Sequence, residues 1–127
     1  SRIVEKIFTA KNWSVTKTNS AREALTLLNS NICTPDVIVS DVHMPGMDGV
    51  DFLKQIKTIN SSIPVVMLTS ETDKMLEIEL VLLGANAFIR KQDDPKLLLA
   101  WANNLLQQKI KLAFTTKPET KEPITIQ

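Results

Sequence analysis

The sequence predicts a three-layer α/β domain built on a parallel sheet, and three observations carry the prediction. Short unbroken apolar runs recur at Val37-Ile38-Val39, Val65-Val66-Met67-Leu68 and Ala87-Phe88-Ile89, the pattern of strands buried on both faces. Amphipathic stretches of helical spacing separate them, long enough to be crossover connections between parallel strands. Each run also stops at a polar group able to do chemistry: Asp41, Thr69 and Lys91.

Ile3, Val4, Ile7 and Phe8 share one helical face, so a helix covers residues 1 to about 11. Trp13 and Val15 alternate with Ser14 and Thr16, which predicts a short strand ending near Thr18. Ser20 with Glu23 forms a capping box, opening a helix whose apolar stripe is Ala21, Ala24, Leu25 and Leu28. A polar loop from Asn29 to Pro35 leads into the strand ending at Asp41. Gly49, Phe52, Leu53 and Ile56 hold helical spacing and predict a third helix to about Thr58.

Asn60 to Pro64 is turn chemistry before the strand that ends at Thr69 and Ser70. Glu71, Thr72 and Asp73 suit the positive end of a helix running through Met75, Leu76, Leu80 and Leu83 and stopping at Gly84. Asp94-Pro95 starts the last helix, with Leu98, Trp101, Ala102 and Leu105 turned to the core. The domain is expected to close near residue 109. Residues 110 to 122 are rich in Lys, Thr, Glu and Pro and read as linker. Ile124-Thr125-Ile126 has the makings of a short strand, the plainer reading being a frayed end or the start of a severed linker. The predicted order is α, β, α, β, α, β, α, β, α, a doubly wound sheet lacking a first strand.

Composition narrows the function. The 127 residues are 43% hydrophobic and 23% charged, as in one ordinary globular domain. A net charge of +1 gives no field to draw the chain to nucleic acid or to an anionic membrane. Cys33, the only cysteine, excludes an internal disulfide framework and any cysteine-built metal site, and suits the reducing cytoplasm. No apolar run approaches a membrane span, and no signal-peptide pattern is seen. Gly46, Gly49 and Gly84 form no glycine-rich phosphate turn, which argues against a dinucleotide or P-loop enzyme.

Asp41, Thr69 and Lys91 are expected at the carboxyl ends of successive parallel strands, the edge where open α/β sheets bind ligands. Taken singly, Asp41 reads as a turn residue, Thr69 as a helix cap and Lys91 as a solvated charge. Three such groups on one edge favour a site. A haloacid-dehalogenase-type phosphatase also uses a strand-end Asp but wants a second acid two residues on, where His43 stands. His43 as base or metal ligand competes with the plainer reading of a solvated side chain.

The run SDVHMPGMDG, then MLTS, then AFIRK after LLGA, resembles the receiver domain of two-component response regulators, over about residues 1 to 108. The resemblance implies the CheY-like, flavodoxin-like (βα)5 fold with strand order 2-1-3-4-5. It implies a phosphoryl group taken from a histidine kinase or phosphotransfer protein, with at most self-catalysed phosphorylation and dephosphorylation rather than enzymatic turnover. By position, Asp41 matches the phosphoacceptor, Thr69 the mobile hydroxyl, Lys91 the phosphate-pairing lysine and Phe88 the aromatic switch. Phe88 reads equally well as an ordinary core aromatic. Asp41 and the backbone carbonyl of His43 match magnesium ligands. An output domain beyond the tail and a homodimer are further partners implied.

Those residue types suit the chemistry. Phosphoryl transfer to a carboxylate depends on in-line positioning and charge neutralisation. Lys91 supplies a positive charge and Thr69 a donor able to reorient toward phosphate oxygens. Withdrawal of Thr69 would free space for Phe88 to turn inward.

Two departures stand out. Receivers begin with a strand ending in two adjacent acids, magnesium's other ligands, and this sequence opens at Ser1, where that pair would end. The expectation is a fragment, or upstream residues that supply the strand. Another segment, such as residues 123–127, or a neighbouring chain is the alternative filler. Gln92 stands where the family usually has a proline in a cis peptide, so the loop is expected to take another path and hold Lys91 less rigidly. The runner-up function is a pseudo-receiver, a protein-binding module that keeps the fold without the acid pair.

Overall fold

The structure, a computed structural model, describes residues 2–32, 34–43, 46–70 and 74–115. Eight elements follow one another: α1 (Arg2–Ala10), α2 (Ala21–Ser30), β1 (Ile38–Asp41), α3 (Gly49–Ile59), β2 (Val65–Thr69), α4 (Lys74–Leu82), β3 (Ala87–Arg90) and α5 (Pro95–Thr115). The three strands form one parallel sheet in the order β1-β2-β3. Ile38 pairs with Val65 and Asp41 with Leu68, while Val66 pairs with Ala87 and Thr69 with Arg90.

The pleat sorts the core into two layers. Val65 and Met67 face a cluster with Leu25, Leu28, Phe52, Leu53, Ile56 and Leu80, roofed by α2, α3 and α4. Val66 faces the other way, into a cluster with Phe8, Ala87, Ile89, Leu98, Ala102 and Leu105 under α1 and α5. This alternation on a strand buried from both sides makes β2 a continuous apolar run.

The helix ends follow the expected chemistry. Glu23 N–H donates to Ser20 Oγ (3.1 Å), and Glu23 Oε1 accepts from Asn19 N–H (2.9 Å), one residue ahead of the cap. Asp48 caps α3 by accepting from Asp51 N–H at 2.9 Å. α4 ends with Gly84 at φ +109° and Ala85 N–H donating to the Leu80 carbonyl (3.0 Å), a Schellman-type stop. Pro95 opens α5 behind Asp94, which accepts from Lys96 N–H at 2.9 Å. The predicted acidic start of α4 at residues 71–73, and the strand at 124–126, lie outside the described residues.

Three expectations are corrected. Residues Trp13 to Thr18 are not a strand: the stretch pairs with no strand among the described residues, and a strand without a hydrogen-bonded neighbour has nothing to hold it. It is tethered to α1 instead. Trp13 N–H donates to the Phe8 carbonyl (3.0 Å), the two rings pack edge to face at 5.4 Å, and Lys17 reaches Glu5 at 3.6 Å. Val39 is not buried on both faces but 36% exposed, because β1 is paired on one side only among the described residues. Trp101 is 38% exposed rather than core-facing, lying beside the stripe Leu98, Ala102 and Leu105 that α5 buries. The α5 helix runs to Thr115.

The amino edge of the sheet is tied by Lys57, whose ammonium donates to the Ile63 carbonyl (2.8 Å) and to Asn86 Oδ1 (3.2 Å). Asn86 Oδ1 also accepts from Val65 N–H at 2.9 Å, so one knot joins α3, the start of β2 and the approach to β3. Burial pushes the Lys57 amine below the usual lysine range. The unfolded chain therefore holds this proton to higher pH than the folded one. Lys57 thus contributes stability that grows as pH rises from its folded pKa toward 10.5. Lys57→Met is expected to lower the unfolding free energy by about 1 to 2 kcal/mol at neutral pH. In urea titrations repeated across the alkaline range, the deficit should widen toward pH 10.

At the other edge, Gly49 N–H donates to the Val42 carbonyl at 2.7 Å, clipping the start of α3 to the end of β1. A Cβ on Gly49 would stand 2.6 Å from the Val42 carbonyl oxygen and 2.7 Å from Val42 Cα. Both are backbone atoms that cannot swing aside. Gly49→Ala should destabilise the domain by about 3 kcal/mol through overpacking, read as a fall in the urea midpoint at unchanged slope.

Candidate functional site

The clip at Gly49 matters because it closes the loop that follows Asp41. β1 delivers Asp41 to the carboxyl edge of the sheet, and Val42, 2% exposed, anchors the chain immediately beyond it. Val42 N–H donates to the Leu68 carbonyl at 2.9 Å, continuing the ladder one step past the acid. Asp41 Oδ1 accepts from His43 N–H at 3.3 Å, which turns the chain at the strand end.

β3 delivers the opposite charge. The Lys91 ammonium lies 2.5 Å from Asp41 Oδ2, with both side chains partly open to solvent. Its position is set from the backbone, since Lys91 N–H donates to the Thr69 carbonyl at 2.7 Å. The turn after it is closed by Asp93, whose N–H donates to the Arg90 carbonyl (3.0 Å) and whose Oδ2 accepts from Arg90 N–H (3.3 Å). All described peptide bonds are trans, so Gln92 is accommodated in an ordinary turn. Lys91 is bonded through both its amide and its ammonium.

Thr69 ends β2 between these two strands and is fully buried. Phe88 lies on β3 opposite Met67 and packs, partly buried, into the layer under α2 to α4. By the strand alternation Thr69 shares that face with Met67, so hydroxyl and ring stand on the same side of adjacent strands. His43 is exposed. The fold thus brings Asp41, Thr69, Lys91 and the His43 backbone to one edge, with Phe88 one step down the neighbouring strand.

Among the described residues no group of three His, Cys, Asp or Glu side chains converges, and the Asp41 carboxylate is already matched by Lys91. Magnesium prefers several oxygen ligands, and Asp41 offers a carboxylate at this edge.

Sequence reasoning missed one pair. Asp36, just ahead of β1, and Lys109, 7% exposed on α5, each bury a side-chain atom, Oδ1 and Nζ, with no hydrogen-bond partner among the described residues. Asp36 follows a proline and reads as a turn, and Lys109 sits in a polar run, so neither carried a local signal.

Comparison with known proteins agrees with this geometry. Residues 1–103 match the response regulator receiver domain family. The chain is 34% identical over 120 residues to the response regulator SaeR of Staphylococcus epidermidis, covering 94% of this chain and 51% of that protein. With SaeR of Staphylococcus aureus it shares 35% identity over 104 residues, 82% of this chain and 44% of that one. The chain therefore spans about half the length of these curated relatives. Among solved structures, the receiver domain of a Francisella response regulator superposes with a TM-score of 0.77 at 28% identity, over 84% of this chain and 87% of that one. A response regulator receiver domain from Clostridium thermocellum gives a TM-score of 0.76 at 28% identity, over 87% and 90%. Three parallel strands carrying an acid, a hydroxyl and a lysine at one edge, matched over most of the chain to this family, make the protein a member of the response regulator receiver domains.

Proposed function

We propose that Asp41 is the phosphoacceptor of this receiver, taking a phosphoryl group from a histidine kinase or a phosphotransfer protein. The observation that carries the reading is the Lys91–Asp41 pair at the carboxyl ends of β3 and β1. An Asp41 carboxylate oxygen attacks phosphorus in line. A new P–O bond forms as the P–N bond of the phosphohistidine breaks, and the imidazole leaves with the bonding electron pair. Lys91 then pairs with the phosphoryl oxygens that replace the carboxylate charge. Thr69 offers its hydroxyl to the same oxygens, and Phe88 moves into the space that hydroxyl gives up, changing the surface at α4 and β3.

Receiver domains bind magnesium at an acidic pocket. Here Asp41 and the His43 carbonyl would be among its ligands, and no step is assigned to the ion. The reaction is a self-modification and not turnover of a separate substrate. A cytoplasmic kinase partner, a homodimer and an output domain beyond the tail belong to the same proposal, supported by the greater length of the SaeR relatives. The competing pseudo-receiver reading is favoured by the single carboxylate at the edge.

Incubated with magnesium and acetyl phosphate, the protein should gain one acid-stable, base-labile phosphoryl group, seen by intact mass, that Asp41→Asn removes. Label retained in Asp41→Asn would overturn the assignment, and no label on either protein would favour the pseudo-receiver. Separately, calorimetric titration of this chain with magnesium should give an affinity weaker than micromolar. Micromolar binding would refute the incomplete donor set.

A further inference from the structure

α4 is lightly seated on the sheet. Of Lys74–Leu82 only Leu80 is fully buried, whereas α3 buries Phe52, Leu53 and Ile56. Leu76 and Leu83 pack, partly buried, into the same layer as Phe88, while Met75, Ile78, Val81 and Leu82 are exposed. A helix that buries so little apolar surface has low local stability and depends on whatever else holds it.

Its carboxyl end is held by a clamp at the amino edge of the sheet. After the stop at Gly84, Asn86 bonds Val65 twice: its N–H donates to the Val65 carbonyl (2.8 Å), and its Oδ1 accepts from Val65 N–H (2.9 Å). Lys57 closes the clamp from α3. Its ammonium donates to the same Oδ1 at 3.2 Å and to the Ile63 carbonyl at 2.8 Å. Its methylene stem lies 3.3 to 3.5 Å from where a Cβ on Gly84 would stand, so the side chain also lines the turn that ends α4.

We propose that Lys57 and Asn86 are positioning residues of the switch, fixing how firmly α4 sits against Phe88 from the edge opposite Asp41. One oxygen, Asn86 Oδ1, joins α3, the start of β2 and the exit of α4, so its loss frees all three together. Val65 opens β2 and Thr69 closes it, which sets the clamp about 13 Å along the strand from the hydroxyl. α4 packs on β3, and Leu76, Leu80 and Leu83 share a cluster with the Phe88 ring, so the seat of α4 decides how much room that ring has to turn. The clamp itself stands on geometry alone, while its consequence rests on the reading of Thr69 and Phe88 given above. Loosening the clamp raises the share of molecules with α4 lifted and lets Phe88 rearrange without a phosphoryl group.

The test is native-state amide exchange on the 127-residue chain, followed by NMR, with neither magnesium nor a phosphodonor. In the unmodified protein Leu80 and Leu83 amides should be about tenfold or more less protected than those of Val66 and Ala102, since α4 opens before the core does. Contacts broken in that opening weaken it as much as they weaken global unfolding. Lys57→Met and Asn86→Ala should therefore lower protection at Leu80 and Leu83 by the same factor as at Val66 and Ala102, about tenfold, and broaden the Phe88 ring signals. Asn86→Asp, which keeps the acceptor oxygen, should retain both protection and sharp signals. Leu105→Val, a change in the opposite layer, should lower protection at Val66 and Ala102 alone.

α4 protection equal to that of the core in the unmodified protein overturns the proposal. So does a fall confined to Val66 and Ala102 in Lys57→Met and Asn86→Ala, or an unchanged Phe88 ring. Should Asn86→Ala unfold, Lys57→Met decides, because the two Asn86–Val65 bonds remain in it. No readout uses phosphorylation, so failure here is distinct from failure of the phosphoacceptor reading.

Discussion

The register of β1 against β2 is the constraint on which the site depends. With Asp41 opposite Leu68 and Thr69 opposite Arg90, acid and hydroxyl reach the same edge, and Lys91 follows one residue later. A slip of one residue would turn every side chain of β1 to the other face and carry Asp41 away from the lysine. The register is enforced from both ends. Lys57 and Asn86 knot the amino edge, and Val42, bonded to Leu68 and to Gly49, closes the carboxyl edge. Neither device touches the Asp41 carboxylate, yet each decides where it stands.

At the site the attraction between Lys91 and Asp41 is local and partly solvated, so it adds little to folding stability. Its value is positional. If Asp41 is the phosphoacceptor proposed above, it needs a positive charge that can stay while the negative charge moves outward. The buried Thr69 hydroxyl, sealed below the same edge, adds a donor without opening the core to water.

Much of this is legible in the amino-acid sequence because it rests on local chemistry. The capping box at Ser20 and Glu23, the Asp94-Pro95 start and the Gly84 stop depend on groups a few residues apart. The three strand-end residues are legible because parallel strands joined by crossovers must end on one side. What the sequence hides is whatever depends on a neighbour. Trp13 to Thr18 has the alternation of a strand, but alternation describes one face of a pair and cannot supply the other member. Val39 has the apolar character of a doubly buried strand but is 36% exposed, since among the described residues β1 pairs with β2 alone. Asp36 and Lys109 carry no local pattern at all, since their meaning lies in each other across the fold.

α4 leaves one consequence for handling. Met75, Ile78, Val81 and Leu82 are all exposed on a helix of only nine residues, and together with Leu76, Glu79 and Leu83 most of them line a shallow groove of about 520 Å³. The chain carries a net charge of +1 and a pI near 7.8, so near neutral pH there is almost no long-range repulsion between molecules to set against contact through that helix. Colloidal behaviour is therefore governed by distance from the pI. Buffers two or more pH units to either side restore mutual repulsion, while added salt screens whatever repulsion remains.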